Sequence, residues 1–205
     1  MLLLDVSHSM NRRTESGGPS RIALLNEGVR AYQSEIVTDT LAAQRVEVAV
    51  ITFGGQVKTA VPFVPATAFK APTLSARGDT PMGAAILAAI EAVTRRKALY
   101  KRNGFHYYRP WIFMITDGGP TDRWGMAAER VREGEKNKAF AFFGVGVQGA
   151  NFQVLRQISV REPLRLKGLC FRELFVWLSR SHERVSHSNP AEEVQLPSPA
   201  VWADV

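Results

Sequence analysis

The 205-residue chain has one cysteine, Cys170. A lone thiol excludes an intrachain disulfide and a cysteine-built zinc cage, and it suits a reducing compartment. In its apolar stretch Cys170 reads as a buried small hydrophobe rather than a reactive thiol. Long apolar runs are missing as well: Ala139–Val147 is far shorter than the ~20 residues of a membrane-spanning helix. Arg12 and Arg13 follow the opening apolar run too early for a secretory signal. These absences predict a soluble, cytoplasmic protein with no membrane partner. There is no Gly-x-Ser-x-Gly and no Gly-x-x-x-x-Gly-Lys-Ser/Thr, which removes the hydrolase nucleophile elbow and the P-loop.

Hydrophobic residues make up 45% of the chain and charged residues 22%, enough for one substantial core and too little for two full domains. Residues 1–188 are expected to form that domain. From Asn189 onward, three prolines and little helical periodicity predict an extended tail, 189–205, with Val201 and Trp202 as docking residues. The net charge of +7 favours an acidic partner, an anionic ligand or nucleic acid, without choosing among them.

Val46–Phe53, Trp111–Thr116 and Ala139–Val147 are nearly continuous apolar runs, and Met1–Asp5 is a shorter one. Such runs read as strands buried on both faces of a parallel sheet. Ile22, Leu25, Val29 and Ile36 recur at helical spacing, as do Met82, Ile86, Ala89, Ile90 and Val93, and Trp124–Asn137 is rich in helix formers. Val57–Phe63 follows the Gly54-Gly55 turn too closely for a crossover helix and is expected as an antiparallel edge strand. Phe152–Ile158 is expected as a helix, Pro163–Leu166 as a last strand and Phe171–Val185 as a closing helix. The prediction is a Rossmann-like, doubly wound α/β fold: a mostly parallel six-stranded sheet ordered 3-2-1-4-5-6, with strand 3 antiparallel at the edge and helices on both faces. Only four residues precede Asp5, short for a central strand.

Asp5-Val6-Ser7-His8-Ser9 follows the first strand, and its alternating positions let one carboxylate and two hydroxyls face one point. Asp117, in Ile115-Thr116-Asp117-Gly118-Gly119, ends the fourth strand, so that Asp5 and Asp117 flank the crevice where the winding order reverses. Thr80 precedes a strongly periodic helix, with Pro81 at the first helical position, and can reach the same crevice. Asp5, Ser7, Ser9, Thr80 and Asp117 are a hard, all-oxygen set that suits Mg2+ or Mn2+ far better than zinc. Two negative charges leave a divalent ion partly uncompensated, so a carboxylate from a partner could take its vacant position. Singly, each residue also reads as an ordinary turn or cap.

Asp-x-Ser-x-Ser after strand one, a distant Thr and Asp-Gly after strand four resemble the metal-ion-dependent adhesion site of von Willebrand factor A domains, a resemblance that runs from Met1 to about Ser188. It implies that Ser7, Ser9 and Thr80 coordinate the metal, directly or through water, while Asp5 and Asp117 act largely through water or from behind. Val46–Gly55, Tyr107–Trp111 and Asp117–Asp122 are similar to the bacterial TerY-type branch associated with tellurite resistance. That resemblance implies a non-catalytic adaptor in a stress-response system, which binds an Asp or Glu carboxylate of a protein partner such as a kinase or phosphatase. The family usually has Gly where His8 stands, a position at which the turn could require positive φ.

Other readings compete. Asp5 beside Mg2+ could serve as the nucleophile of a phosphotransferase or hydrolase, although Ser7 stands where such enzymes carry a second aspartate. Gly144–Gly149 matches Gly-x-Gly-x-x-Gly, but that fingerprint belongs after the first strand. His106, Tyr107 and Tyr108 with Arg95, Arg96, Lys97, Lys101 and Arg102 could form a nucleic-acid surface, though solvated helix ends share this composition. His182 and His187 are off metal-ligand spacing and read as surface residues. Asp79 and Asp122 read as a turn residue and a helix cap.

Overall fold

The computed structural model describes residues 1–13, 17–189, 192 and 194–204. Strand β1 (Leu2–Asp5) leads through a single 3-10 turn, His8–Asn11, to helix α1 (Arg21–Glu35), a short helix α2 (Thr40–Arg45), and the antiparallel pair β2 (Glu47–Gly54) and β3 (Gln56–Pro65). Helix α3 (Met82–Arg102), β4 (Trp111–Thr116), α4 (Gly125–Lys136), β5 (Ala141–Gly146), α5 (Phe152–Ile158), β6 (Leu164–Leu166), α6 (Phe171–Ser186) and β7 (Ala203–Asp204) complete the chain.

The sheet runs β3-β2-β1-β4-β5-β6-β7. The α/β layering and the reversal of winding at β1 and β4 agree with the sequence reading, but the described residues form seven strands where six were expected. The extra strand, β7, lies in the tail and pairs antiparallel with β6 through Arg165↔Asp204 and Leu166↔Ala203. Two residues are too few to show a period of two, so only packing reveals it. Helix α2 escaped for the same reason: Ala42 and Ala43 are its only buried residues, and its clearest mark is the Asp39 side chain accepting from Ala42 N at 2.7 Å.

β1 is short but doubly supported. Leu2–Asp5 pair with Val50–Phe53 of β2, and Leu2–Leu4 pair with Phe113–Ile115 of β4. Alternation then divides the core: Leu2, Leu4, Val48, Val50, Phe113 and Ile115 face α1 and α6, while Leu3, Ile51, Phe53, Ile112 and Met114 face α3 and α4. Val201 is 73% exposed and takes no part, whereas Trp202 is fully buried and docks the tail. Cys170 is only partly buried, and desolvation raises its thiol pKa.

The loops after β1, β2 and β3 are bound together by backbone. Val6 N donates to Phe53 O at 2.8 Å, Arg77 N to Val6 O at 2.7 Å, His8 N to Gly78 O at 2.9 Å and Gly55 N to Asp79 O at 2.8 Å. Gly78, at φ +66°, passes so close that a Cβ would sit 2.5 Å from Gly55 Cα. Gly78→Ala is therefore expected to cost at least about 2 kcal/mol, from positive φ and a backbone clash together. Gly104→Ala has similar φ but open space and should cost about 1 kcal/mol or less. Denaturant midpoints compare the two; equal losses would mean that the close approach contributes nothing.

Candidate metal centre

Asp5 ends β1 with no exposure to solvent. Its Oδ1 accepts from Ser7 N at 2.8 Å and its Oδ2 from Thr116 Oγ1 at 2.5 Å. Desolvation pushes its pKa up to about 6; the Ser7 and Thr116 hydrogen bonds oppose the rise and the charge of Asp117 adds to it. Ser7 and Ser9 lie in and beside the 3-10 turn, their hydroxyls 3.0 Å apart, and Ser9 Oγ donates to Asp117 Oδ1 at 2.5 Å. Thr80 is buried on its own loop, which is stapled to the β4–α4 loop: Thr121 N donates to Thr80 O at 2.9 Å, and Thr121 Oγ1 accepts from Thr80 N at 3.1 Å. A Cβ on Gly118 would lie 3.7 Å from Thr80 Oγ1 and 4.0 Å from Ser9 Oγ. The five oxygen-bearing side chains named from the sequence thus meet at the carboxyl ends of β1 and β4.

One charged neighbour was not anticipated. Arg21, 7% exposed, is the first residue of α1, and its Nη1 donates to Asp117 Oδ2 at 2.6 Å. A cation at a helix N-terminus faces the positive end of the helix dipole, and this misplacement was the available signal that Arg21 answers a carboxylate elsewhere. Thr116 carries a similar signal, since a hydroxyl beside Asp117 in a buried strand needs an acceptor, here Asp5 Oδ2.

The turn conformation corrects two details. His8 lies in the 3-10 turn, and the one positive-φ residue other than glycine among those described is Lys138, so the departure from glycine at position 8 strains nothing. Pro81 is the N-cap of α3 rather than its first helical residue, because Thr80 O already accepts from Met82 N at 2.7 Å. The cap comes from Asp122, which accepts from Gly83 N at 2.9 Å and Ala84 N at 2.8 Å. Asp122 is therefore a cap, as expected, though of α3 and not of the helix that follows it.

The donor set fits a hard divalent cation. Among the described residues no group of three His, Cys, Asp or Glu could hold a metal, so a cation here would depend on hydroxyl oxygens, which suit Mg2+ and Mn2+. With both carboxylates ionised, Arg21 brings the local charge to minus one, not the minus two inferred from sequence.

A model of the von Willebrand factor type A domain matches residues 1–120. The chain belongs to this family. No curated protein sequence matches it. Among solved structures it is similar to a von Willebrand factor type A protein from Catenulispora acidiphila, with 15% identity and TM-score 0.64 over 89% of this chain and 42% of that one. It is also similar to proximal thread matrix protein 1 from the mussel byssus with a zinc-occupied MIDAS motif, with 15% identity and TM-score 0.59 over 89% and 46% of the two chains. A third likeness is to manganese-loaded TRAP protein from Plasmodium vivax, with 18% identity and TM-score 0.53 over 85% and 71%. The chain spans less than half the length of the mussel protein. At these identities the likeness is one of fold.

The competing motifs find other uses. A Cβ on Gly146 would strike the Phe152 ring and one on Gly144 would meet Ser159 Oγ at 3.0 Å, so these glycines make room for the chain's own side chains. Of the basic and aromatic residues, Arg96, Lys97, His106, Tyr107 and Tyr108 line a cavity of about 660 Å3 at the opposite end of the sheet, together with Glu47, Tyr100, Trp111 and His182. Arg96 pairs with Glu47 and Arg95 with Glu91, which leaves less free charge for phosphates than the sequence suggested. His182 is partly buried rather than a free surface residue: its ring stacks on Trp111 at 4.9 Å and its Nδ1 lies 3.0 Å from Tyr32 OH. No helix of the described residues is long and apolar enough to cross a membrane.

Proposed function

We propose that this chain is a non-catalytic, metal-dependent protein-binding domain in which Asp5, Ser7, Ser9, Thr80 and Asp117 hold one Mg2+ or Mn2+ with a position open to a partner carboxylate. The observation that carries this reading is the linked chain Ser7 Oγ, Ser9 Oγ and Asp117 Oδ1, with Thr80 facing it from another loop. Ser7, Ser9 and Thr80 would supply direct or water-mediated contacts, Asp117 the charge facing the ion, and Asp5 the brace behind the serine turn. The bound metal would supply an electrophilic position for the partner's Asp or Glu. Metal-loaded sites on similar folds in the mussel and Plasmodium proteins support a divalent ion here.

Within the family we assign the chain to the TerY-type branch, acting in the cytoplasm in tellurite resistance or a related stress response, with a kinase or phosphatase of the same system as partner. Val46–Gly55, Tyr107–Trp111 and Asp117–Asp122 support that assignment. The phosphotransferase reading is disfavoured by Asp5 itself, whose two oxygens each accept a hydrogen bond and have no solvent exposure.

Calorimetric titration with Mg2+ and with Mn2+ tests the site. Wild type should bind one ion, Asp117→Ala should bind about 100-fold more weakly, and the Ser7→Ala, Ser9→Ala double variant should also lose affinity. Equal binding by all three would refute the assignment.

A further inference from the structure

Arg21 raises a question that the metal reading does not answer, because a cation-binding site has little use for a cation of its own. Arg21 is 7% exposed and its Nη1 sits 2.6 Å from Asp117 Oδ2. The other Asp117 oxygen accepts from Ser9 Oγ. The loop after β5 closes over the pair: a Cβ on Gly149 would lie 3.8 Å from Arg21 Nη1 and 3.2 Å from Asp117 O. Both oxygens of the carboxylate that would face the ion are therefore committed within the protein, one of them to a full positive charge.

The cation is also at the less favourable end of its helix. As first residue of α1, after the Ser20 cap, Arg21 meets the positive pole of the dipole. Its return is the neutralisation of Asp117, which would otherwise stand as a second buried carboxylate near Asp5. Without Arg21, the site with both carboxylates ionised would carry minus two; with it, the site carries minus one.

We infer that Arg21 is a built-in competitor of the metal: it holds Asp117 in the metal-free domain, and ion binding proceeds against it by breaking the Arg21–Asp117 pair. This rests on the proposed metal site and adds its regulation. The guanidinium ties Asp117 to the start of α1 without an ion and sets a threshold cation concentration below which the site stays closed. Arg21 is here a positioning residue with a defined sign, since its removal strengthens metal binding. A residue that merely oriented Asp117 would weaken metal binding when removed.

The experiment is calorimetric titration with Mg2+ and with Mn2+ of wild type, Arg21→Gln, Arg21→Lys and Asp117→Ala, with folding of each variant checked by circular dichroism. Arg21→Gln should bind at least about 10-fold more tightly than wild type. Arg21→Lys keeps the charge and should remain within about 3-fold of wild type. A second measurement uses the unaltered chain and so does not depend on a variant folding. The Arg21 guanidinium N–H resonances should be protected from solvent exchange without metal and should lose that protection at saturating Mg2+. Arg21→Gln that is folded yet binds equally or more weakly, or protection that persists with metal bound, overturns the competition and leaves the metal site standing. Absence of binding in every protein, Arg21→Gln included, overturns both.

Discussion

Trp202→Ala is expected to cost about 3–5 kcal/mol of stability, as for a large aromatic truncated in a closed core. Trp202 is the largest fully buried side chain, its ring centroid lies 5.2 Å from that of Trp177, and Trp177 Nε1 donates to Pro197 O at 2.8 Å. Backbone fastens the same point: Lys167 N donates to Trp202 O at 2.8 Å, and Lys167 Nζ to Ala200 O at 2.6 Å. For a chain of this size each kcal/mol shifts Tm by roughly 2–4 °C, so a drop of roughly 6–20 °C follows. Val201→Ala, next to it but exposed, should stay within about 0.5 kcal/mol. Chemical and thermal melts of the two variants decide; an unchanged Trp202→Ala midpoint would show that the tail is not part of the core.

Acid should destabilise the domain through His182. Burial lowers its pKa from 6.5 to about 3. As pH falls through 6.5 the unfolded chain takes up a proton that the folded chain refuses, and stability is lost progressively down to about pH 3. At pH 4.5, two units below the unfolded value, this amounts to about 2–3 kcal/mol. Asp5 acts in the opposite sense, because its pKa is raised to about 6 from 3.8 and the folded state binds its proton first. The His182 contribution is therefore read as a difference: wild type should lose about 2–3 kcal/mol more than His182→Gln between pH 7 and pH 4.5. Gln has no titrating group and an amide within reach of Tyr32 OH. Parallel urea-denaturation profiles would dispose of the idea.

The histidine and the tryptophan show where sequence reasoning stops. From sequence His182 reads as a surface residue, because a helix with two histidines five apart makes no ligand pair. Its fate depended on Tyr32 and Trp111, which belong to α1 and β4. Trp202 was a candidate for docking on hydrophobicity alone, and Val201 shared that candidacy until the geometry separated them. The elements that were anticipated, such as α3, β4 and α6, are long enough for a period of 3.6 or a continuous apolar run to stand above noise. The elements that were missed, α2 and β7, span six and two residues.

The candidate centre divides in the same way. Asp5, Ser7, Ser9, Thr80 and Asp117 could be named because each lies just after a recognisable strand or just before a recognisable helix, and a doubly wound sheet brings those ends to one crevice. Local pattern and topology therefore determined the layered fold and the five oxygens. The charge that accompanies those oxygens was decided by tertiary structure. Arg21 meets Asp117 from 96 positions away in the chain, and no periodicity connects them. An ion pair depends on where two side chains end in space, and that is set by how α1 packs beside β4, not by the residues that flank either one.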